Sequence, residues 1–589
     1  MNKMTKKIFI GMIPVQMLIA LLPVVNGIID GLIGTRLLGS DVMSVTGLFD
    51  PINCAANGIL YLFSIGSSIV SGILIGKGEL QRASRSFTMS LLLLAGIGLV
   101  FSVGLTAFSG PLAGMMYKND VTAKLAEYMR GMGPGYLFYM ICPILIIHLQ
   151  LCGKGKIINY GILVMAYVNA FLDLLFISTF DLGIYGLGLA TALANVIQAI
   201  MMMVMFFRKD SVIGFKFGKP DPEDRKGIWV FGYPRVIMFA AISLKSFLTN
   251  KIMLRLNGSA AMAVCTFQYV VVGVLETIAN GLAGTVMALG SVAYGEEDSK
   301  EFRGIVHTGL RYGLVMSIIG TLFFVLLRVP LSMLYFGKEP AVQQEAAIML
   351  MIAPCYIIFG VAYAILISVL QVLGKSKFIS GSYIIEQAVA LEFTYVFGRL
   401  WGLRGIWFMM PALKLVCLLV TAAYLLILMI KYDRKNIVQG LIPFPEGFGY
   451  NPEDLFTTTA YNMDELMASS EKVRTFCIEK GIDRKRAYEV SVCVEEMGRN
   501  IIQYGFPGRK NPIIIISLGI KNGEINLVIK DNCKHFDPEQ WSNIHHPETK
   551  ESNFGIRLTK SLSSEFHYKS GFGLNALNIR INANNTPIT

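Results

Sequence analysis

As far as about Ile430 the chain is a succession of apolar runs parted by short polar segments. Crossing a bilayer takes about 20 residues of apolar helix, and the backbone groups must be satisfied within the segment. Repeated runs of that length commit this part of the chain to a bundle of membrane helices rather than to a soluble core. The pattern predicts twelve, over about 8–35, 43–75, 87–108, 131–152, 157–178, 183–207, 228–254, 262–292, 305–335, 345–373, 378–400 and 404–430. The second and eighth are long enough to tilt or to extend beyond the bilayer. Lys3, Lys6 and Lys7 precede a first run that is long and ends without a small-residue cleavage site, so it reads as a helix and not as a cleaved signal.

The formal net charge is +12 at pH 7, but much of it lies in the short loops, so it is no nucleic-acid footprint. One set of loops, with the N-terminus, holds roughly eighteen basic residues and the other roughly seven, which places both termini in the cytoplasm. The nine cysteines show no CxxC pair. Cys54, Cys142, Cys152, Cys265, Cys355 and Cys417 fall in or beside the apolar runs and Cys477, Cys493 and Cys533 beyond them, which reads as buried free thiols.

The apolar part is duplicated. Pro14 and Pro234 stand 220 residues apart, Gly76 and Gly295 219 apart, and Gln150 and Gln371 221 apart, each in similar surroundings. Six helices followed by six give two parallel repeats related by an axis along the membrane normal, with a site between or within the halves.

Ionisable residues are not shared evenly between the halves. Asp173 lies inside the fifth apolar run, with Asn169 one turn earlier on the same face. A carboxylate at mid-bilayer costs about 2.5–3.5 kcal/mol, so it is expected to face a cavity or a partner. Asp30 in the first run answers Asn250 in the seventh. Thr191 supplies a further neutral oxygen. The second half offers Glu386 and Glu392 in the eleventh run at a different register and Glu276 in the eighth, with Lys245, Asn250 and Lys251 in its first helix. Structural helix–helix hydrogen bonds are the plain alternative for each of these groups.

The blocks IIDGLIGTRLLG, GKGELQRA, LQLCGK, VNAFLDLLFI…GIYGLGLATA and LRGIWFMMP resemble the MATE family, the multidrug and toxic compound extrusion transporters. The resemblance covers about residues 8–430 and implies two six-helix bundles in a V. It implies export of small organic cations or drugs in exchange for Na⁺ or H⁺. It also places the coupling-ion site on Asp30, Asn169, Asp173 and Thr191; the acidic site that some members carry in the second half is not evident in the seventh helix, and Glu276 of the eighth and Glu386 of the eleventh would stand in for it. Oxygen ligands of this kind suit a hard cation, and a desolvated carboxylate can carry a proton instead.

After a Pro- and Gly-rich stretch (LIPFPEGFGYNP, 441–452) the composition becomes that of a soluble domain. The pattern predicts helices over about 463–480, 485–504 and 555–564 and strands over 512–519, 525–530, 565–570 and 574–581, an antiparallel sheet with helices on one face. The expected division is 1–220 and 221–436 for the two membrane lobes, 437–454 for a linker and 455–585 for the soluble domain. His545-His546 reads as part of an exposed loop rather than a metal pair.

Glu496 and Asn500 in CVEEMGRN, Asp531 in IKDNCKHFDP, and Gly555 and Asn575 further on resemble the Bergerat-fold ATP-binding domain of anti-sigma-factor serine kinases. That resemblance implies Mg²⁺ on Asn500, a base in Glu496, the adenine amino group on Asp531 and phosphate at the helix that opens with Gly555. The Gly expected two residues after the Asp is Cys533, and the glycine lid is reduced to Ser552-Asn553-Phe554-Gly555. No GxxxxGK[ST] sequence is present. The first functional reading is an ion-driven exporter, not an enzyme in its main activity, with a cytoplasmic regulatory domain, partners being a small-molecule substrate, the bilayer and a cytoplasmic protein. The second is a membrane-anchored signalling protein whose tail is a serine kinase or partner switch. A flippase for lipid-linked precursors ranks last.

Overall fold

A computed structural model describes residues 3–38, 41–116, 121–207, 212–256, 258–336, 340–432, 442–445, 447–508, 511–533, 536, 538, 554–571 and 574–583. The membrane part runs α1 (Lys3–Leu38), α2 (Asp41–Lys77), α3 (Leu80–Ala107), a short α4 (Ser109–Met116), α5 (Val121–Leu151), α6 (Gly155–Leu174) and α7 (Gly183–Val204). The second set is α8 (Pro222–Leu256), α9 (Gly258–Gly295), α10 (Ser299–Leu326), a short α11 (Arg328–Tyr335), α12 (Pro340–Ile352), α13 (Tyr356–Val372) and α14 (Ser376–Tyr432). Among the described residues 11 helical spans are long and apolar enough to cross a membrane. A twelfth long helix is the first part of α14, which carries Lys377, Glu386, Glu392 and Arg399. It ends where Gly402 takes φ 60°, a left-handed conformation that breaks the helix.

Three expected boundaries are corrected. The third and fourth helices start earlier than expected, at Leu80 and Val121, because polar residues extend them beyond the apolar run. The ninth stops at Leu326 and restarts as α11, so 305–335 is not one helix. The carbonyl of Val325 is bonded by the Arg328 side chain, at 2.9 Å, across this break.

α1, α2, α3, α5, α6 and α7 pack on one another as one bundle, and α8, α9, α10, α13 and α14 as a second. The bundles meet through α1 against α9, α2 against α8, and α2 against α9. The repeat maps α1 onto α8 and α2 onto α9, so the first two contacts are one contact made twice and the third lies on the pseudo-two-fold axis. Gln150 and Gln371 keep the same logic: Gln150 accepts from Gln16 of α1 at 2.6 Å, and Gln371 donates to the Phe231 carbonyl of α8 at 2.8 Å.

The tail is an antiparallel sheet in the order β1-β2-β3-β5-β4, from β1 (Leu455–Ala460), β2 (Ile514–Lys521), β3 (Glu524–Asp531), β4 (Glu565–Gly571) and β5 (Leu574–Asn582). α15 (Met463–Glu479), α16 (Arg484–Asn500) and α17 (Phe554–Leu562) cover one face. Alternation decides the faces: Ile525, Leu527 and Ile529 of β3 are buried under the helices with Val490, Val494 and Met497, and Asn526, Val528 and Lys530 point the other way. β1 escapes the sequence reading because Leu455–Ala460 holds three threonines and little apolar alternation; its pairing with β2 makes it a strand.

Described residues of the Pro/Gly-rich linker pack against the membrane part. Ile442 and Phe444 join the membrane-part core. Phe444 stacks on Phe448 at 4.6 Å, and Phe448 on Tyr294 at 4.8 Å. Among the described residues eight cysteines are free, and the side chain of Cys265 lies outside them. Burial pushes the Cys477 thiol up to about 11 and that of Cys493 up to about 12, so both stay protonated and inert.

Candidate functional site

The structure brings three of the expected residues together inside the first bundle. Asn169 donates from one nitrogen to Asp30 Oδ1 at 2.6 Å and to Asp173 Oδ2 at 3.1 Å. The spacing of four residues stacks Asn169 over Asp173 on the inner face of α6, and both are buried. α6 passes straight into a π-helical turn, Leu175–Thr179. Asn169 Oδ1 and Asp173 Oδ1 are buried and accept no hydrogen bond from a donor among the described residues, and the Asp30 and Asp173 carboxylates lie within hydrogen-bond reach of each other. Two orphaned acceptor oxygens beside a second carboxylate are a donor set for a hard cation or a proton.

Thr191 stands apart from this trio in bonding. Its hydroxyl donates to the Leu187 carbonyl one turn earlier, at 3.2 Å. Tyr128, which is buried on α5 and stacks edge-on to Phe49 at 5.3 Å, lies within electrostatic reach of Asp30 and Asp173. No motif marked it, because a tyrosine in an apolar run is ordinarily core.

The second bundle holds a different arrangement. Glu386 is buried, accepts from the Tyr363 hydroxyl at 3.0 Å, and pairs with the Lys414 ammonium at 2.5 Å. Lys414 also lies over the Tyr363 ring, 5.2 Å from its centroid. Glu276 and Lys245 are within electrostatic reach of the pair. Sequence reasoning passed over Lys414, although a lone ammonium in an apolar run is itself a signal. The side chains of Asn250 and Lys251 lie outside the described residues.

In the tail, Asp531 is pinned from two sides. Its Oδ1 accepts from the Cys533 backbone N–H and from the Asn575 amide, each at 2.8 Å. Asn575 is held in turn by the Tyr568 hydroxyl, at 2.7 Å. Glu496 and Asn500 end α16, and a Cβ on Gly555 would collide with Glu496 Oε2. The carboxylate of Glu496 thus lies against the start of α17, where a helix N-terminus favours negative charge. Cys533, in place of the expected glycine, packs its side chain on Gly505. Ser552, Asn553, His545 and His546 lie outside the described residues, as does the side chain of Phe554. Asp531 presents a buried acceptor carboxylate, and the space beside Gly555 is taken by the carboxylate of Glu496.

Comparison with known proteins follows the same division. The family model described as histidine kinase-like ATPase domain matches residues 462–581. The multidrug export protein MepA of Staphylococcus aureus (strain NCTC 8325 / PS 47) is 24% identical over 439 residues, 72% of this chain and 95% of its own. A crystal structure of MATE in complex with MaL6 superposes with a TM-score of 0.67 at 19% identity, over 71% of this chain and 95% of that one. A MOP superfamily transporter from Pyrococcus furiosus, whose binding pocket is described as of reverse polarity, superposes with 0.66 at 19% identity, over 73% and 97%. The MatE family model matches residues 16–175 and 234–396, one stretch in each bundle, and the chain belongs to the MatE family of transporters.

Proposed function

We propose that this protein exports small organic cations or drugs in exchange for Na⁺ or H⁺. The observation that carries the reading is the Asp30–Asn169–Asp173 cluster with its two orphaned buried oxygens. Two carboxylates bridged by one amide repel each other, and a cation or a proton between them relieves that repulsion. The ion gradient can drive export because each charge moving down 100 mV yields about 2.3 kcal/mol. Thr191 belongs to the expected ion set and would add a hydroxyl lone pair to it, its own proton being used within α7. Glu386 already holds a cation, Lys414, so coupling rests on the first bundle. The name of the staphylococcal relative, a multidrug export protein, supports the substrate class.

We assign 1–220 and 221–436 to the two lobes, 437–454 to the connecting segment and 455–585 to a cytoplasmic regulatory domain, with both termini in the cytoplasm and the chain in the cell membrane. In that domain Asp531 would hold an adenine amine, Asn500 a Mg²⁺ ion and the Gly555 turn a phosphate. Bound ATP would supply a phosphoryl group for transfer to a partner protein, which is the second reading of this chain. The match over 462–581 favours it.

The test is substrate accumulation in cells expressing wild type or Asp173→Asn, with and without Na⁺ and over a range of external pH. The expected result is loss of most efflux at unchanged protein level; unchanged efflux would falsify the ion site. Binding of a fluorescent ATP analogue to the full chain, and its loss in Asp531→Ala, tests the tail.

A further inference from the structure

The helix-free face of the tail sheet rests on both bundles at once. Lys530 pairs with Glu296 at 2.8 Å and Lys521 with Glu297 at 2.9 Å, both in the α9–α10 turn of the second bundle. On the first bundle, Met4 of α1 packs in an apolar cluster with Ile513, Ile515 and Leu574. His567 lies against Gly78 in the α2–α3 turn. These turns are the duplicated ones, and they touch: a Cβ on Gly76 would collide with the Val292 carbonyl, and one on Gly295 with the Ile73 carbonyl. The sheet therefore covers the point where the two bundles close on each other.

The same strands carry the Asp531 site. Asp531 pairs in register with Asn575, and neighbouring strand residues face opposite ways. Asp531 and Asn575 face the helices, while Lys530, Leu574 and Ala576 face the transporter. A shift of this strand pair moves both faces. The contact is also one that can part. It borders an open, polar cavity of about 680 Å³ lined by Lys77, Glu79, Glu297, Lys521, His567 and Arg580, and polar interfaces separate more readily than dry apolar ones.

We propose that the tail sheet is a clamp on the tail-side gate, holding the two bundles together over Gly76 and Gly295, and that the β3–β5 strand ends link this clamp to nucleotide bound at Asp531. The second clause rests on the nucleotide-binding reading of the tail; the first does not. The relevant partner surface is thus the transporter itself, read by charge at Glu296 and Glu297 and by fit at Met4 and Gly78.

The test uses the full chain in lipid nanodiscs and follows backbone hydrogen exchange at 73–79 and 292–298. Lys530→Glu is expected to raise exchange there by about fivefold, and Lys530→Glu combined with Glu296→Lys to restore it. Exchange in 514–529 reports whether the tail stays folded; should Lys530→Glu unfold it, Glu296→Lys carries the same test from the transporter side. Unchanged exchange in the single variants, or no restoration in the swap, overturns the clamp. Millimolar ATP with Mg²⁺ is expected to change exchange at both turns in wild type and not in Asp531→Ala. If wild type binds the ATP analogue and the turns do not respond, the link is overturned. If wild type binds no nucleotide, the nucleotide reading and the link fall together and the charge-swap result still decides the clamp.

Discussion

Lys414 lies in the strongly apolar span Arg404–Lys431. An ammonium there is tolerated because Glu386 and the Tyr363 ring meet it. Removing one partner of a buried pair costs about 3–5 kcal/mol, whereas replacing both by apolar groups is often neutral. Glu386→Ala is therefore expected to lower the melting temperature of the detergent-solubilised protein clearly, and Glu386→Leu with Lys414→Met to recover most of the loss. A double variant as unstable as the single would show that the pair is more than an internal counter-ion arrangement. The Asp30–Asn169–Asp173 cluster is the opposite case, with acceptors left over rather than matched. Asn169→Ala removes the only amide bridging the two carboxylates in the described structure and is expected to reduce ion-dependent efflux by about tenfold. Efflux in cells at fixed expression checks this.

At the scale of elements, the contact between α2 and α9 depends on having no side chains where the helices end. Gly72 faces Ser291, and Gly76 faces Gly295. Leucine at position 76 would meet backbone rather than a movable side chain, so the helix ends must separate. Gly76→Leu is expected to stop the gate from closing: substrate binding persists and transport falls by about tenfold or more. Binding by fluorescence quenching and transport in proteoliposomes separate the two effects. Arg82 fixes the start of α3 through Glu79 at 2.5 Å, Asp221 at 2.7 Å and Asp224 at 2.9 Å, tying the inter-lobe connector to the same gate.

For the whole molecule, Phe444, Phe448 and Tyr450 form a strap that fastens the tail to the second bundle. Phe444 packs on Phe302 at 5.5 Å, Arg303 lies over its ring, and Asn526 donates to the Tyr450 hydroxyl at 2.9 Å. At Lys530 burial pushes the ammonium down, but the carboxylates of Glu296 and Asp298 together hold it above its ordinary value. It stays charged at neutral pH, and the ion pair with it. A chain stopped after Tyr450 keeps the strap and loses the sheet. It is expected to retain ion-dependent efflux and to lose any response to ATP. Loss of all efflux, measured at matched membrane expression, would show that the tail is part of the transport machinery.

Sequence alone settled the membrane bundle, because apolar run length and backbone hydrogen bonding admit little else. The constant repeat offset gave the two halves, and the Asn169–Asp173 spacing gave one shared helix face. In the tail, the sequence carried the resemblance to a histidine kinase-like ATPase domain, which the match over 462–581 bears out. What lay beyond it were the partnerships between residues far apart in the chain. Asp30 and Asn169 are 139 positions apart, and Lys530 and Glu296 are 234 apart. Periodicity reports which face a residue lies on, not what lies opposite. Only the packing of α1 on α6 placed Asp30 against Asn169, and only the docking of the sheet turned a lysine on an ordinary strand into a contact with the gate.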